Sequence, residues 1–404
     1  MRCSYFFIIT ALFFSLAAGG RLEAAQSQPP YKVVVFTHQQ TGFPNSDERT
    51  ELFARNVSRH WPDQRVELRY MPLEYFNRPG QVTRLFTDLA DDPLLRGVII
   101  SEAPVGSFDG LVRLRALRPE LFIFVIDPHE EIQKMAKAAT LTLALNHPVR
   151  AFTYPTLAQR MEARSLVLLS FPRHMRMSHF ARMQRVMSEV TRDLGMILIT
   201  DDQGPDPLDP AVSRLDLENY LHETMDRYLE QYGPQTAFMS SSTLYSEMLV
   251  PLAMQKGGRI LPAPQPSLLL GFPQALDLVE EARALFGQWR RLLALEDEKI
   301  MSLKPPAEFA VWTYPYPDTV ILAVADLAAQ AIESQVNIYD LHLIGSVLNK
   351  YSPGAKWLVS THLDYDSDEL VPQVFLLMQD SYWFGRGYQG LTRVHVPGRY
   401  LRIK

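Results

Sequence analysis

Four residues able to do chemistry, Ser170, Phe171, Arg173 and His174, sit in a short elbow between two strongly patterned runs. Before them, Leu166–Leu169 is a continuous apolar run of the kind a parallel strand covered on both faces requires. After them, Phe180, Met183, Val186, Met187, Val190 and Leu194 recur at helical spacing. The order strand, elbow, helix predicts that the four residues lie at the carboxyl end of a strand, where open α/β sheets bind their ligands. There the planar fork of Arg173 suits a carboxylate or phosphate, and His174 suits a proton acceptor. The alternative is a well-packed loop with an arginine facing solvent.

Other expected strand ends carry polar residues too: Thr37 and His38, Ser101 and Glu102, Asp127 and His129, and the serines Ser240, Ser241 and Ser242. Glu102 suits a cationic or hydroxyl-bearing group. The serines suit hydrogen bonds to a polar ligand or caps for the following helix. Asp201 and Asp202 precede QGPDPLDP and read more readily as turn residues. In the run WTYPYP, Trp312, Tyr314 and Tyr316 either stack on a ligand ring or pack around the prolines. The expected ligand-binding set is Thr37, Ser101, Glu102, Asp127, Ser170, Phe171, Arg173, His174, Ser240, Ser241 and Tyr314.

Signatures of catalysis and of cofactors are missing from the sequence: there is no P-loop, GxGxxG, HExxH or GxSxG. The ten histidines are scattered singly, and His129-Glu130-Glu131 comes nearest to a metal cluster. Neighbours on one loop rarely converge on one ion, so the acidic pair reads as charge at a helix N-terminus. No cofactor, metal ligand or catalytic residue is assigned. A net charge of −5 lacks the basic excess of a nucleic-acid-binding surface, so nucleic acid is not an expected partner.

The elements that must position these residues follow a βα rhythm. Strands are expected at 32–37, 65–71, 97–101, 121–127 and 140–145, with helices at 47–60, 81–89 and 106–117. A turn-rich passage at 146–155 leads to further strands at 165–170, 196–201, 237–240 and 259–262, with helices at 215–232 and 245–255. A charged helix is expected around 274–303, with Pro305-Pro306 and TYPYP (Thr313–Pro317) as punctuation. An amphipathic helix at 319–334 then returns to the first lobe, and the tail from about 356 to 384 crosses again. The expected fold is α/β, with two doubly wound Rossmann-like lobes and several hinge crossings. Residues 31–150 with about 310–345 form the N-terminal lobe, and 151–309 with about 346–404 form the C-terminal lobe.

The first 25 residues read as an export signal: Arg2, an apolar core from about Tyr5 to Ala18, and small residues before Gln26. That core is shorter than the roughly 20 residues a membrane helix needs. Cleavage would remove Cys3, the single cysteine, and with it disulfide and thiol chemistry. A periplasmic or secreted chain is expected.

Several segments carry a resemblance: ADDPLLRGVIISEAPVG (Ala90–Gly106), RPELFIFVIDPHEE (Arg118–Glu131), SFPRHM (Ser170–Met175), YGPQTAFMSSS (Tyr232–Ser242), LPAPQPSLLLGFPQAL (Leu261–Leu276) and, more weakly, VFLLMQDSYWFG (Val374–Gly385). In this order they resemble a bacterial family of uncharacterised secreted proteins, a domain of unknown function whose members look like type I periplasmic binding proteins. Members often carry cysteines in the segments matching 240–244 and 263–266, and this chain has none there. The resemblance implies an extracytoplasmic solute-binding protein closing over a small polar molecule for a membrane permease or sensor. A periplasmic hydrolase using the same cleft, with His174 as base, and a ligand-free interaction module are the alternatives.

Overall fold

A computed structural model describes residues 30–38, 46–71, 74–75, 78–303, 308–364 and 367–403. The expected signal, residues 39–45 and Pro305-Pro306 lie outside them. The first half runs β1 (Lys32–His38), α1 (Ser46–His60), β2 (Val66–Met71), α2 (Pro79–Thr87), β3 (Leu95–Ser101), α3 (Ser107–Leu117), β4 (Phe122–Ile126), α4 (Ile132–Ala136) and β5 (Leu141–Leu145). Then come α5 (His147–Arg160), β6 (Ser165–Leu169), α6 (Pro172–Met175), α7 (Ser178–Asp193), β7 (Ile197–Asp201), α8 (Arg214–Tyr232), β8 (Thr236–Ser240), α9 (Thr243–Lys256) and β9 (Arg259–Ile260). The chain continues with α10 (Phe272–Ala275), α11 (Val279–Ala284), α12 (Trp289–Met301), β10 (Glu308–Val311), α13 (Tyr316–Ser334) and α14 (Leu341–Tyr351). It ends with β11 (Trp357–Asp364), β12 (Glu369–Gln379), β13 (Tyr382–Trp383), β14 (Gly387–Tyr388) and α15 (Gly398–Leu401).

Two seven-stranded sheets result, in the orders β2-β1-β3-β4-β5-β12-β11 and β7-β6-β8-β9-β10-β13-β14. The first five strands of each are parallel and wound alike, 2-1-3-4-5. Each half therefore has one switch point, between β1 and β3 in the first and between β6 and β8 in the second, and crevices open there beyond the strands' carboxyl ends. The buried runs VIIS in β3 and LVLL in β6 have the continuous apolar character that burial on both faces demands.

Three departures from the sequence reading have physical causes. Residues 147–160 are helical rather than turn-rich: Pro148 sits in the first turn, where its missing N–H is no loss, and Asn146 accepts a bond from the Val149 N–H. Helix α13 is buried on nearly every side rather than amphipathic, because it lies between β1, β3 and β4 on one side and α14 on the other. Strands β11 and β12 join the first sheet, so residues 357–379 do not belong with the C-terminal lobe, as had been expected for 346–404. The reason is the run Val374–Met378, wholly buried, which pairs in parallel with β5 where both faces are covered. Sheet pairing also sends β10 to the second sheet.

The chain passes between sheets at 146–164, 312–315 and 380–381. At these passages the bonds run between segments distant in sequence. Gln379 accepts from Thr313 Oγ1 at 3.0 Å and the Tyr314 N–H at 3.2 Å. Arg150 is 1% exposed, donates to the Tyr154 hydroxyl and to the carbonyls of Ala263 and Pro264 at 3.0 and 2.8 Å, and lies over the Trp312 ring. Replacing Arg150 with the similarly long Met leaves those acceptors buried and unpaired, a loss of about 3 kcal/mol in urea unfolding. A change below about 0.5 kcal/mol would contradict this role.

Candidate functional site

Residues at the carboxyl ends of both sheets are brought together at the junction of the lobes, where Gln265 meets Glu102. In the first lobe, Thr37 and Ser101 are buried at the ends of β1 and β3. Glu102 and Asp127 follow β3 and β4 directly, both in left-handed backbone at φ 52° and 45°. The Glu102 N–H donates to the Ile126 carbonyl, and Asp127 Oδ1 accepts from the Leu145 N–H at 2.7 Å. Side chains pay for such backbone with strain, and it concentrates where a group must be aimed. The His38 Nε2 lies 3.2 Å from the Glu102 carbonyl, across the first switch point.

Facing them, Ser170 and Ser241 bridge the β6/β8 switch point with hydroxyls 2.7 Å apart, and Ser241 continues to His174 Nδ1 at 3.0 Å. Phe171 is buried with its ring centroid 4.1 Å from that of His174. From the loop after β9, Gln265 donates its amide to Glu102 Oε1 and so joins the two lobes.

The remaining expected site residues are placed otherwise. Arg173 is held in a two-bond pair with Asp206 at 2.5 and 2.9 Å, so its fork is already occupied. Ser240 turns inward to the Ser242 carbonyl and Ser246 hydroxyl, steadying the start of α9. Tyr314 donates to the Pro353 carbonyl beside the hinge. There it lines a separate groove of about 540 Å³ with Arg290, Tyr382 and Tyr388. Asp201 is anchored by Tyr220, Arg227 and Tyr228 on α8. Glu130 caps the start of α3 by accepting from the Gly106 and Phe108 N–H groups, not the helix that follows it.

The structure also assembles histidines that look isolated in sequence. His147 and His179 stack at 4.9 Å, and His174 and His179 both meet Phe180. His129 feels the charges of His38, His179 and Arg173. Periodicity cannot reveal this grouping, because the residues come from five separate strand ends and helix starts. Among the described residues, no group of three or more His, Cys, Asp or Glu is placed to hold a metal ion.

Desolvation dominates the electrostatics. It pushes His129 to about 4, His174 to about 3 and His179 to about 4, helped by neighbouring positive groups. It raises Asp127 to about 7, with the Glu102 charge adding to the rise and Arg150 opposing it. Glu102 is raised for the same first reason, against the Gln265 hydrogen bond. The imidazoles are thus neutral near pH 7, and Asp127 is poised between its two forms.

In an NMR titration, His174 and His179 keep neutral imidazoles at pH 5; midpoints near the ordinary 6.5 or so would contradict their packing. Asp127 gives a signed prediction. Its folded pKa exceeds the unfolded value, so its contribution is full at low pH and is lost as pH rises from about 4 through about 7. Thermal melts of wild type and Asp127→Asn should therefore shift in the variant's favour between pH 5 and 8. A gap independent of pH would contradict the assignment.

The chain is similar in sequence to other bacterial proteins and in fold to one solved structure. The chain is 28% identical over 175 residues to an uncharacterized protein of Treponema pallidum (strain Nichols), a match covering 43% of this chain and 80% of that protein. A second protein of that organism is 32% identical over 136 residues, covering 34% of this chain and 61% of that protein. A putative transcriptional regulator from Clostridium difficile 630 superposes with a TM-score of 0.69 at 12% identity, over 88% of this chain and 99% of that one. At that identity the likeness concerns the fold, which is that of type I periplasmic binding proteins. The family model described as a protein of unknown function (DUF3798) matches residues 31–302, and the chain belongs to that family.

Proposed function

We propose that this protein is a solute-binding protein that closes its two lobes over a small polar molecule and performs no chemistry on it. The observation that carries the reading is the pairing of the two switch points, Glu102 and Asp127 on one lobe facing Ser170, Ser241 and His174 on the other, with Gln265 already bridging them. Such a constellation offers hydrogen bonds from both sides, and a ligand touching both stabilises the closed arrangement by its differential affinity for it. The chain passages at 146–164, 312–315 and 380–381 supply the hinge such closure requires. An export signal at residues 1–25 would place the protein outside the cytoplasm, where a permease or sensor would read the closed form.

One contact favours a hydrolase: Ser241 within hydrogen-bond reach of His174. Against it, His174 is held near 3, too weak a base for neutral pH, and among the described residues no carboxylate hydrogen-bonds its ring. If hydrolysis nonetheless occurred, His174→Ala would abolish turnover by the folded protein.

Lobe closure is measurable because Cys3 is the chain's single cysteine. Dyes on Val105→Cys and Leu208→Cys, both substantially exposed, report the distance across the cleft in a Cys3→Ser background. Protein stripped by unfolding and refolding should close when the small-molecule fraction of its native cell is returned. A distance unchanged at every concentration would contradict the binding reading.

A further inference from the structure

Resting on that reading, we propose that the molecule held between the lobes carries a protonated amine, seated between the carboxyl groups of Glu102 and Asp127. The two residues extend adjacent strands in register, one step beyond the pair Ser101 and Ile126. Neither makes an ion pair among the described residues. Glu102 accepts from the neutral Gln265 amide, and Asp127 from the Leu145 N–H. The Tyr316 hydroxyl, on a side chain 1% exposed, lies near enough to Asp127 to oppose the rise of its carboxyl. Asp127 feels the Arg150 charge only through space, since that guanidinium bonds to Tyr154, Ala263 and Pro264, so the desolvated carboxyl pair lacks an ion-pair partner among the described residues, and a buried charge needs one.

The cleft's other groups make an anionic ligand a poor fit. Arg173, the arginine best placed to receive one, is already matched in two bonds by Asp206. Arg150 is withdrawn from solvent and directed to the Tyr154 hydroxyl and the carbonyls of Ala263 and Pro264. The surrounding imidazoles are neutral near pH 7, and Ser170 and Ser241 are uncharged. An ammonium group would supply the missing positive charge, while the serines and Gln265 would take hydroxyl or amide groups elsewhere on the ligand. The rings of Phe171 and His174 add aromatic surface to the same cleft.

Binding would then be linked to protons. The groups facing Asp127 are Glu102 from β3, Arg150 from α5 and Tyr316 from α13, and those facing Glu102 are Gln265 and Asp127, with His38 at its backbone. His129, beside them, is coupled to His38, His179 and Arg173. An ammonium draws the proton off Asp127, so amine affinity rises as pH increases through about 7. For one group at that midpoint, the gain from pH 6 to pH 8 is about tenfold.

Three four-carbon probes test this on the full chain: putrescine, 1,4-butanediol and succinate. Calorimetry in buffers of different ionisation enthalpy measures affinity and proton release, and the cleft dyes report closure. The expected result is that putrescine closes the lobes, releases a proton near pH 7 and binds about tenfold more tightly at pH 8 than at pH 6. Glu102→Gln and Asp127→Asn should weaken it at least about tenfold while the circular dichroism is unchanged. The wild-type proton release decides the matter if either variant misfolds. Closure by butanediol or succinate with putrescine inert overturns the amine assignment and leaves lobe closure standing. Binding of none of the three also overturns it, and the binding reading then rests on the cellular fraction alone.

Discussion

The fold depends on one guanidinium kept out of water without a carboxylate bonded to it. Arg150 begins the passage from the first sheet to the second, and its bonds reach forward to the carbonyls of Ala263 and Pro264, more than a hundred residues away. Burying a charge is costly unless its hydrogen bonds are met, so the chain must bring those carbonyls, the Tyr154 hydroxyl and the Trp312 face to it. That requirement ties helix α5, the loop after β9 and the passage after β10 into one hinge. The Asp127 carboxyl feels the same charge across the boundary between lobes. Stability and site electrostatics therefore meet at one side chain.

From that hinge the cleft inherits its character. Two sheets wound in the same order meet near their switch points through Gln265 and Glu102, and polar side chains at those points have no regular ladder to join beyond the strand ends. Desolvation then separates their ionisation: imidazoles are held neutral, and the Asp127 carboxyl is held partly protonated. What the lobe junction presents is a set of hydrogen-bonding groups with little fixed charge. Such a set suits reversible binding better than proton transfer at neutral pH.

Much of the fold was legible in the sequence because both of its signals are local. Runs such as Leu166–Leu169 demand two covered faces, and the helical stripe from Phe180 to Val190 demands one. The placement of β11 and β12 was not legible, since an apolar run declares burial without naming the strand beside it. For the candidate site, strand-end logic placed Glu102, Asp127, Ser170 and Ser241 just beyond β3, β4, β6 and β8, but not the direction each side chain takes. Arg173 is matched by Asp206, 33 residues on, and Ser240 turns into its own helix start. The histidine grouping and Gln265 arise from tertiary contact alone, and no spacing in the chain announces them.

Native mass spectrometry of the protein, purified gently from its own cells, tests most directly whether the lobes hold a small molecule between them. The account predicts a single adduct of defined mass per chain, retained under non-denaturing conditions and released on unfolding. A bare polypeptide that also stays bare after incubation with the cell's small-molecule fraction would contradict it.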